Sequence, residues 1–285
     1  MSTDRGDGPE PADSDVPPEP GAVAPGLELL VDEHEEEVSE NGRTVRRRGV
    51  YLLPNLFTTG CLFAGFYAII AAMRGDFESA PIAILFAMVF DGLDGRIARL
   101  TNTQSKFGAE YDSLADMVAF GVAPALVIFS WGLGDLGKFG WSAAFVYVAC
   151  AALRLARFNT QIDTADKNFF TGLASPSAAA IIACTVWVCH DLGWTGALVP
   201  RELAFGVAVL TATVGFLMIA NFPYSSFKGI DFRGRVPFVA MIAIVFVFGL
   251  VTLDPPSVIL AGFLIYALSG PVMQFSRRRR GRPGQ

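Results

Sequence analysis

Apolar residues along this chain gather in long runs, separated by short polar segments that carry Gly, Pro, Lys or Arg. The runs fall at about 51–73, 79–99, 111–133, 141–158, 172–191, 202–221, 236–253 and 256–274. Each is close to the roughly 20 residues a helix needs to cross a hydrocarbon core. A spanning segment must satisfy every backbone hydrogen bond internally, so apolar runs of this length predict helices and not loops or open strands. The pattern therefore predicts an all-α polytopic bundle of about eight transmembrane helices. Its tightest breaks are GDLGKFG at 134–140 and the single turn at Asp254 and Pro255.

The placement of Lys and Arg supports that count, because cytoplasmic segments are enriched in positive charge. With the N-terminus inside, the inner segments hold Arg43, Arg46, Arg47, Arg48, Arg96, Arg99, Lys106, Arg154, Arg157, Lys167, Lys228, Arg233 and Arg235, together with Arg277 to Arg280 and Arg282. The outer segments hold Arg74, Lys138 and Arg201, a bias of eighteen to three. Both termini are expected on the cytoplasmic side of the cell membrane. Residues 1–42 lack apolar periodicity and are rich in Asp, Glu, Pro and Gly, including DEHEEE at 32–37, so they read as a disordered acidic tail. No basic stretch followed by a short apolar core opens the chain, which argues against a signal peptide. Residues 43–50 form a basic juxtamembrane segment, 51–274 the membrane domain and 275–285 a basic tail. The basic stretches serve as topology signals or lie on anionic headgroups of the membrane lipids.

Composition agrees with this reading and narrows the chemistry. The chain is 52% hydrophobic and 17% charged, with a mean hydropathy of +0.45, which excludes an ordinary soluble domain. The net charge of −5 sums an acidic tail and basic loops, and nothing in it suggests a nucleic-acid partner. Cys61, Cys150, Cys184 and Cys189 all lie inside apolar runs without a CxxC pair, so buried structural cysteines are expected.

Four acids break the apolar pattern. Asp91 and Asp94 end the second run, and Asp112 and Asp116 open the third. Ionisable groups at membrane depth are costly and mark function by default. Spacings of three and four put each pair on one helix face, so two neighbouring helices can aim four carboxylates at one point. Mutual repulsion is relieved by hard, oxygen-seeking divalent cations, Mg²⁺ or Mn²⁺. Arg99 projects from the same helix end and suits a phosphate oxygen. Gly95 and Gly108 leave room for a close approach of backbone or nucleotide.

Written out, the stretch reads D-x2-D-G-x2-A-R-x8-G-x3-D-x3-D from Asp91 to Asp116. On these residues the chain is identified as a member of the CDP-alcohol phosphotransferase family of integral membrane enzymes. The resemblance implies that Asp91 and Asp112 bridge two metals, that Asp94 completes one site, and that Asp116 serves the other and acts as general base. It further implies cytidine against Gly95, Ala98 and Gly108, with the pyrophosphate at Arg99. Asn55 and Thr58, after Pro54, either join the nucleotide pocket or cap and pack the first helix. PNLFTTGCLFAGFYAIIAAM from Pro54, ACAALRLARFNT at 149–160, GLASPSAAA at 172–180 and YSSFKGIDFRGRVPF at 224–238 resemble the serine-using bacterial branch of the family. One departure is Ala174, where that branch usually carries proline.

The resemblance implies CDP-diacylglycerol and L-serine as substrates, catalysis in the first six helices, and a homodimer. For the serine carboxylate, Arg154, Arg157 and Asn159 at the end of the fourth run are the candidates, against a role of the arginines as snorkelling anchors. Ser175 and Ser177 are expected to line that pocket or to bond between helices. His190 is expected to pack near the outer face, and His34 lies in the tail. Glycerol 3-phosphate or an inositol phosphate as acceptor, a cation transporter and a non-catalytic lipid binder are the alternatives.

Overall fold

A computed structural model of the chain describes residues 36–40, 43–47, 52–100, 106–161, 169–225 and 238–280. Eight helical rods occupy the positions of the eight apolar runs. They are α1 (Leu52–Met73), α2 (Ser79–Leu100), a rod opened by α3 (Lys106–Asp116), α5 (Lys138–Gln161), α6 (Ser175–Asp191), α7 (Arg201–Ile219), α8 (Phe238–Leu253) and α9 (Pro255–Arg280). The third rod continues from α3 through a π-helical stretch (Met117–Val122), α4 (Ala123–Ile128), a second π-helical stretch (Phe129–Leu133) and a 3-10 turn (Gly134–Leu136).

Among the described residues, five stretches are long and apolar enough to cross a membrane: Asn55–Met73, Phe107–Leu136, Lys138–Thr160, Arg201–Ile219 and Pro255–Gln274. The remaining rods fall short for visible reasons. α6 has 17 residues and α8 has 16, while α2 ends in Asp91, Asp94 and Arg96. The molecule is a helical membrane bundle.

The stretch before α1 forms a separate unit, Met1–Val50. Within it, strand β1 (Glu36–Glu40) pairs antiparallel with β2 (Arg43–Arg47). The stretch expected to be a disordered acidic tail enters the described residues only at 36–40, and its remainder lies outside them. The register sets Glu36, Glu37 and Glu40 opposite Arg47, Arg46 and Arg43.

Small residues set the spacing of the bundle. Ala64, Ala68, Ala71 and Ala72 of α1 are buried, as are Ala80, Ala83 and Ala87 of α2, which runs back antiparallel against it. Helix association inside a bilayer rests on close packing, and small side chains permit it. Gly65 allows one such approach: a Cβ there would sit 2.6 Å from the Cα of Ala119. α1 is thereby seated directly on the turn that follows Asp116. α6 runs through the centre, with Ala178 to Val186 all buried, and α5 and α7 meet at Gly215.

Pro124 shows how the third rod survives a missing donor. Proline has no N–H to offer the carbonyl four residues back, here Phe120. The hydroxyl of Tyr147, fully buried on α5, donates to that carbonyl at 2.9 Å. At the rod's end Gly137 turns the chain with φ of +57°, so the predicted loop at 134–140 closes in one residue before α5 begins. Asp254 alone separates α8 from α9 and accepts from the Ser257 N–H at 3.3 Å.

At one end of the bundle, strand β3 (Phe169–Thr171) pairs antiparallel with β4 (Pro223–Ser225), tying the segment before α6 to the one after α7. Gly172 has φ of +89°, and a Cβ there would collide with the carbonyl of Met218. Ala174 caps α6 with φ of −63° and ψ of 136°. Proline prefers that φ. The departure at this position therefore leaves the turn unchanged.

Candidate functional site

Four of the predicted acids meet at the same end of the bundle as the β3–β4 ribbon. α2 delivers Asp91 and Asp94 in its last turns, while α3 delivers Asp112 and Asp116 just before its π-helical stretch. One carboxylate oxygen each from Asp91, Asp112 and Asp116 lies within 4.8 Å of the others. Asp94 stands beside them, within electrostatic reach of Asp91 and Asp112, and is buried. Its Oδ2 accepts from the Thr58 hydroxyl at 2.9 Å, so α1 steadies the fourth acid. The helical spacing of three and four thus does what the sequence suggests, with the partners drawn from three helices.

Asp116 Oδ1 is buried and has no hydrogen-bond partner among the described residues. A buried carboxylate oxygen left unsatisfied is expensive, so it calls for a cation or a proton donor. Three converging carboxylates of hard-oxygen type fit a divalent metal. Gly95 borders open space, with nothing within 4 Å of where a Cβ would stand. Gly108 is half-buried at the start of α3. Ala98 and Arg99 lie in the last turn of α2, and their side chains fall outside the described residues. Asn55 is half-buried in the first turns of α1, and its backbone carbonyl accepts from the Thr59 hydroxyl at 2.7 Å. Thr59 also bonds Tyr111 at 2.9 Å, a second tie between α1 and α3 that the sequence does not announce.

The three acceptor candidates separate clearly. Arg157 Nη1 donates to the carbonyl of Ile219, the last residue of α7, at 3.4 Å. Asn159 is bonded to Ser113 of α3, with Asn159 Nδ2 to Ser113 Oγ at 3.0 Å. Both are engaged in holding helices together. Arg154 instead faces the acids: it lies within electrostatic reach of Asp116 and Asp91. Its Nη1 donates to Ser175 Oγ at 2.6 Å, while its Nε is buried without a partner among the described residues. Ser175 is the first residue of α6, and no side chain caps that helix end. A guanidinium with an unused donor therefore meets the positive end of a helix, an arrangement that favours an anion.

The cysteines and His190 are placed more simply. Cys61, Cys150, Cys184 and Cys189 are buried free thiols. His190 sits in the last turn of α6, at the opposite end of that helix from Ser175.

A family model described as CDP-alcohol phosphatidyltransferase matches residues 51–219. A Helicobacter pylori (strain J99) protein named CDP-diacylglycerol–serine O-phosphatidyltransferase is 37% identical over 219 residues, covering 77% of this chain and 90% of that one. A protein of the same name from Mycobacterium leprae is 32% identical over 218 residues, covering 71% of this chain and 68% of that one. Among solved structures, Mycobacterium tuberculosis phosphatidylinositol phosphate synthase with CDP-DAG bound aligns with a TM-score of 0.43 and 17% identity, over 59% of this chain and 83% of that one.

Proposed function

The chain belongs to the CDP-alcohol phosphatidyltransferase family, and on that premise we propose that it transfers the phosphatidyl group of CDP-diacylglycerol to the hydroxyl of L-serine, giving phosphatidylserine and CMP. The observation that carries the chemistry is the convergence of Asp91, Asp112 and Asp116 around a buried, unpartnered Asp116 oxygen. The two relatives named above support the acceptor, since both carry the serine-specific name.

Asp91, Asp94, Asp112 and Asp116 would hold Mg²⁺ or Mn²⁺, two ions by the resemblance. When bound, divalent metal neutralises the pyrophosphate and favours departure of CMP. Asp116 takes the proton from the serine hydroxyl, and that oxygen forms a bond to the phosphorus carrying diacylglycerol. The bond from this phosphorus to the CMP oxygen breaks, and CMP leaves with the electron pair. Arg99 is assigned to the pyrophosphate. Asn55, Thr58, Gly95, Ala98 and Gly108 are assigned to the nucleotide, with Thr58 acting through its bond to Asp94.

Arg154, with the uncapped start of α6, is assigned to the serine carboxylate. Arg157 and Asn159 hold the surrounding helices and are assigned no substrate contact. The excess of Lys and Arg on the segments at the acid end favours a cytoplasmic site, with both termini inside. The reading includes a homodimer in the lipid bilayer, as the resemblance implies.

Purified protein given CDP-diacylglycerol and Mg²⁺ or Mn²⁺ is expected to release CMP with serine. Release with glycerol 3-phosphate or inositol 1-phosphate and none with serine would replace the acceptor. Release with no alcohol at all under these conditions would remove the transferase reading.

A further inference from the structure

The family match ends at residue 219, yet the last helix brings Tyr266 within electrostatic reach of Arg154. α9 packs along α6 and against β4. Its docking there is specific. Pro271 lies inside α9 and cannot donate to the carbonyl four residues back, that of Ala267. The hydroxyl of Tyr224, fully buried on β4, donates to that carbonyl at 2.9 Å. Gly270 makes room for it, because a Cβ at that position would collide with the Tyr224 ring. The missing donor, the missing side chain and the buried tyrosine fix both the rotation and the depth of α9 at this level.

That docking positions Tyr266. Its ring lies 5.4 Å from the Tyr224 ring, centroid to centroid, tilted by 44°. Tyr266 is half-buried and lies within electrostatic reach of Arg154, whose Nη1 is held by Ser175 and whose Nε is unpartnered. A guanidinium and an electron-rich phenol ring thus lie within electrostatic reach of each other, the first held at the start of α6 and the second beside the Tyr224 ring. An amino acid carries the complementary pair of charges, a carboxylate for Arg154 and an ammonium for the ring face. An alcohol bearing only a phosphate would have no use for the second half.

We propose that α9 completes the acceptor subsite and that Tyr266 is a specificity-determining residue, taking the α-ammonium of the acceptor while Arg154 takes its carboxylate. This rests on the serine-transferase reading above. Tyr224, Gly270 and Pro271 act as positioning residues, holding Tyr266 where it is needed.

The test is steady-state kinetics of CMP release for Tyr266→Leu and Tyr266→Phe, with serine and CDP-diacylglycerol varied in turn and with glycerate as an acceptor that lacks the ammonium. Tyr266→Leu is expected to raise the serine KM about tenfold, the scale of a desolvated cation–π contact. The CDP-diacylglycerol KM should stay unchanged, and the preference for serine over glycerate should fall by a similar factor. Tyr266→Phe keeps the ring and is expected to restore most of the serine affinity. An unchanged serine KM and an unchanged preference in Tyr266→Leu, with wild-type elution on size exclusion, would overturn the assignment. If Tyr266→Leu does not elute as a folded protein, Tyr266→Met is read in its place against the same two outcomes. Failure of the wild-type protein to use serine would instead defeat the transferase reading itself, so the two failures are distinct.

Discussion

The two halves of the site are built differently. The donor half comes from residues close in sequence: Asp91, Asp94, Asp112 and Asp116 fall within one helix–turn–helix, and helical spacing alone turns them toward a common point. The proposed acceptor half draws on Arg154 on α5, Ser175 on α6 and Tyr266 on α9, with β4 holding α9 in register. The contrast suggests a division of labour. On the reading proposed above, phosphatidyl-transfer chemistry resides in a local motif, whereas the choice of alcohol depends on long-range packing.

The comparison is broken most severely at the acids. Asp116→Asn is expected to lower turnover about a thousandfold, the scale of a lost general base. The CDP-lipid should still bind, as read by protection of the protein against thermal unfolding; activity near wild type would remove Asp116 as the base. The acceptor half should respond in KM. Arg154→Ala is expected to raise the serine KM by about tenfold to a hundredfold, from the loss of a charged hydrogen bond. Arg157→Ala should leave it unchanged, because Arg157 is bonded to the Ile219 carbonyl. Equal KM effects from the two substitutions would return Arg157 to the site.

The smallest effect calibrates both halves from the far end of the bundle. Asp76, exposed in the turn between α1 and α2, accepts from the Ser79 N–H at 2.9 Å and caps α2. The Ser79 backbone N–H, aided by its hydroxyl, holds the Asp76 carboxyl below the usual carboxylate range. Its folded-state pKa is thus depressed, so the stabilisation is present above the unfolded-state value and is lost as pH falls through the folded one. Asp76→Ala should cost about 1 kcal/mol at neutral pH, typical of a helix cap. The gap in Tm from wild type should narrow below pH about 4, with the serine and CDP-diacylglycerol KM values unmoved throughout.

The tyrosines on α5 and β4 repeat one device. Tyr147 supplies the donor that Pro124 withholds from Phe120, and Tyr224 supplies the donor that Pro271 withholds from Ala267. Both prolines are visible in the sequence as helix breakers, yet neither rod breaks. The hydroxyl that rescues each carbonyl comes from an element 27 or 43 residues away. Gly65 is likewise unremarked in the sequence, although it seats α1 on Ala119 next to Asp116.

The sequence by itself determined the eight helical rods, the clustering of the acids and the family, because a bilayer forces apolar runs into helices and helical spacing orients neighbouring residues. It could not divide Arg154 from Arg157, since both end the same helix three residues apart with the same charge. Only the tertiary structure does so: the start of α6 meets one and the end of α7 meets the other. Tyr266 was beyond reach for the same reason. A hydrogen bond or ring contact between distant segments depends on how the helices rotate and cross, and helical periodicity carries no record of that.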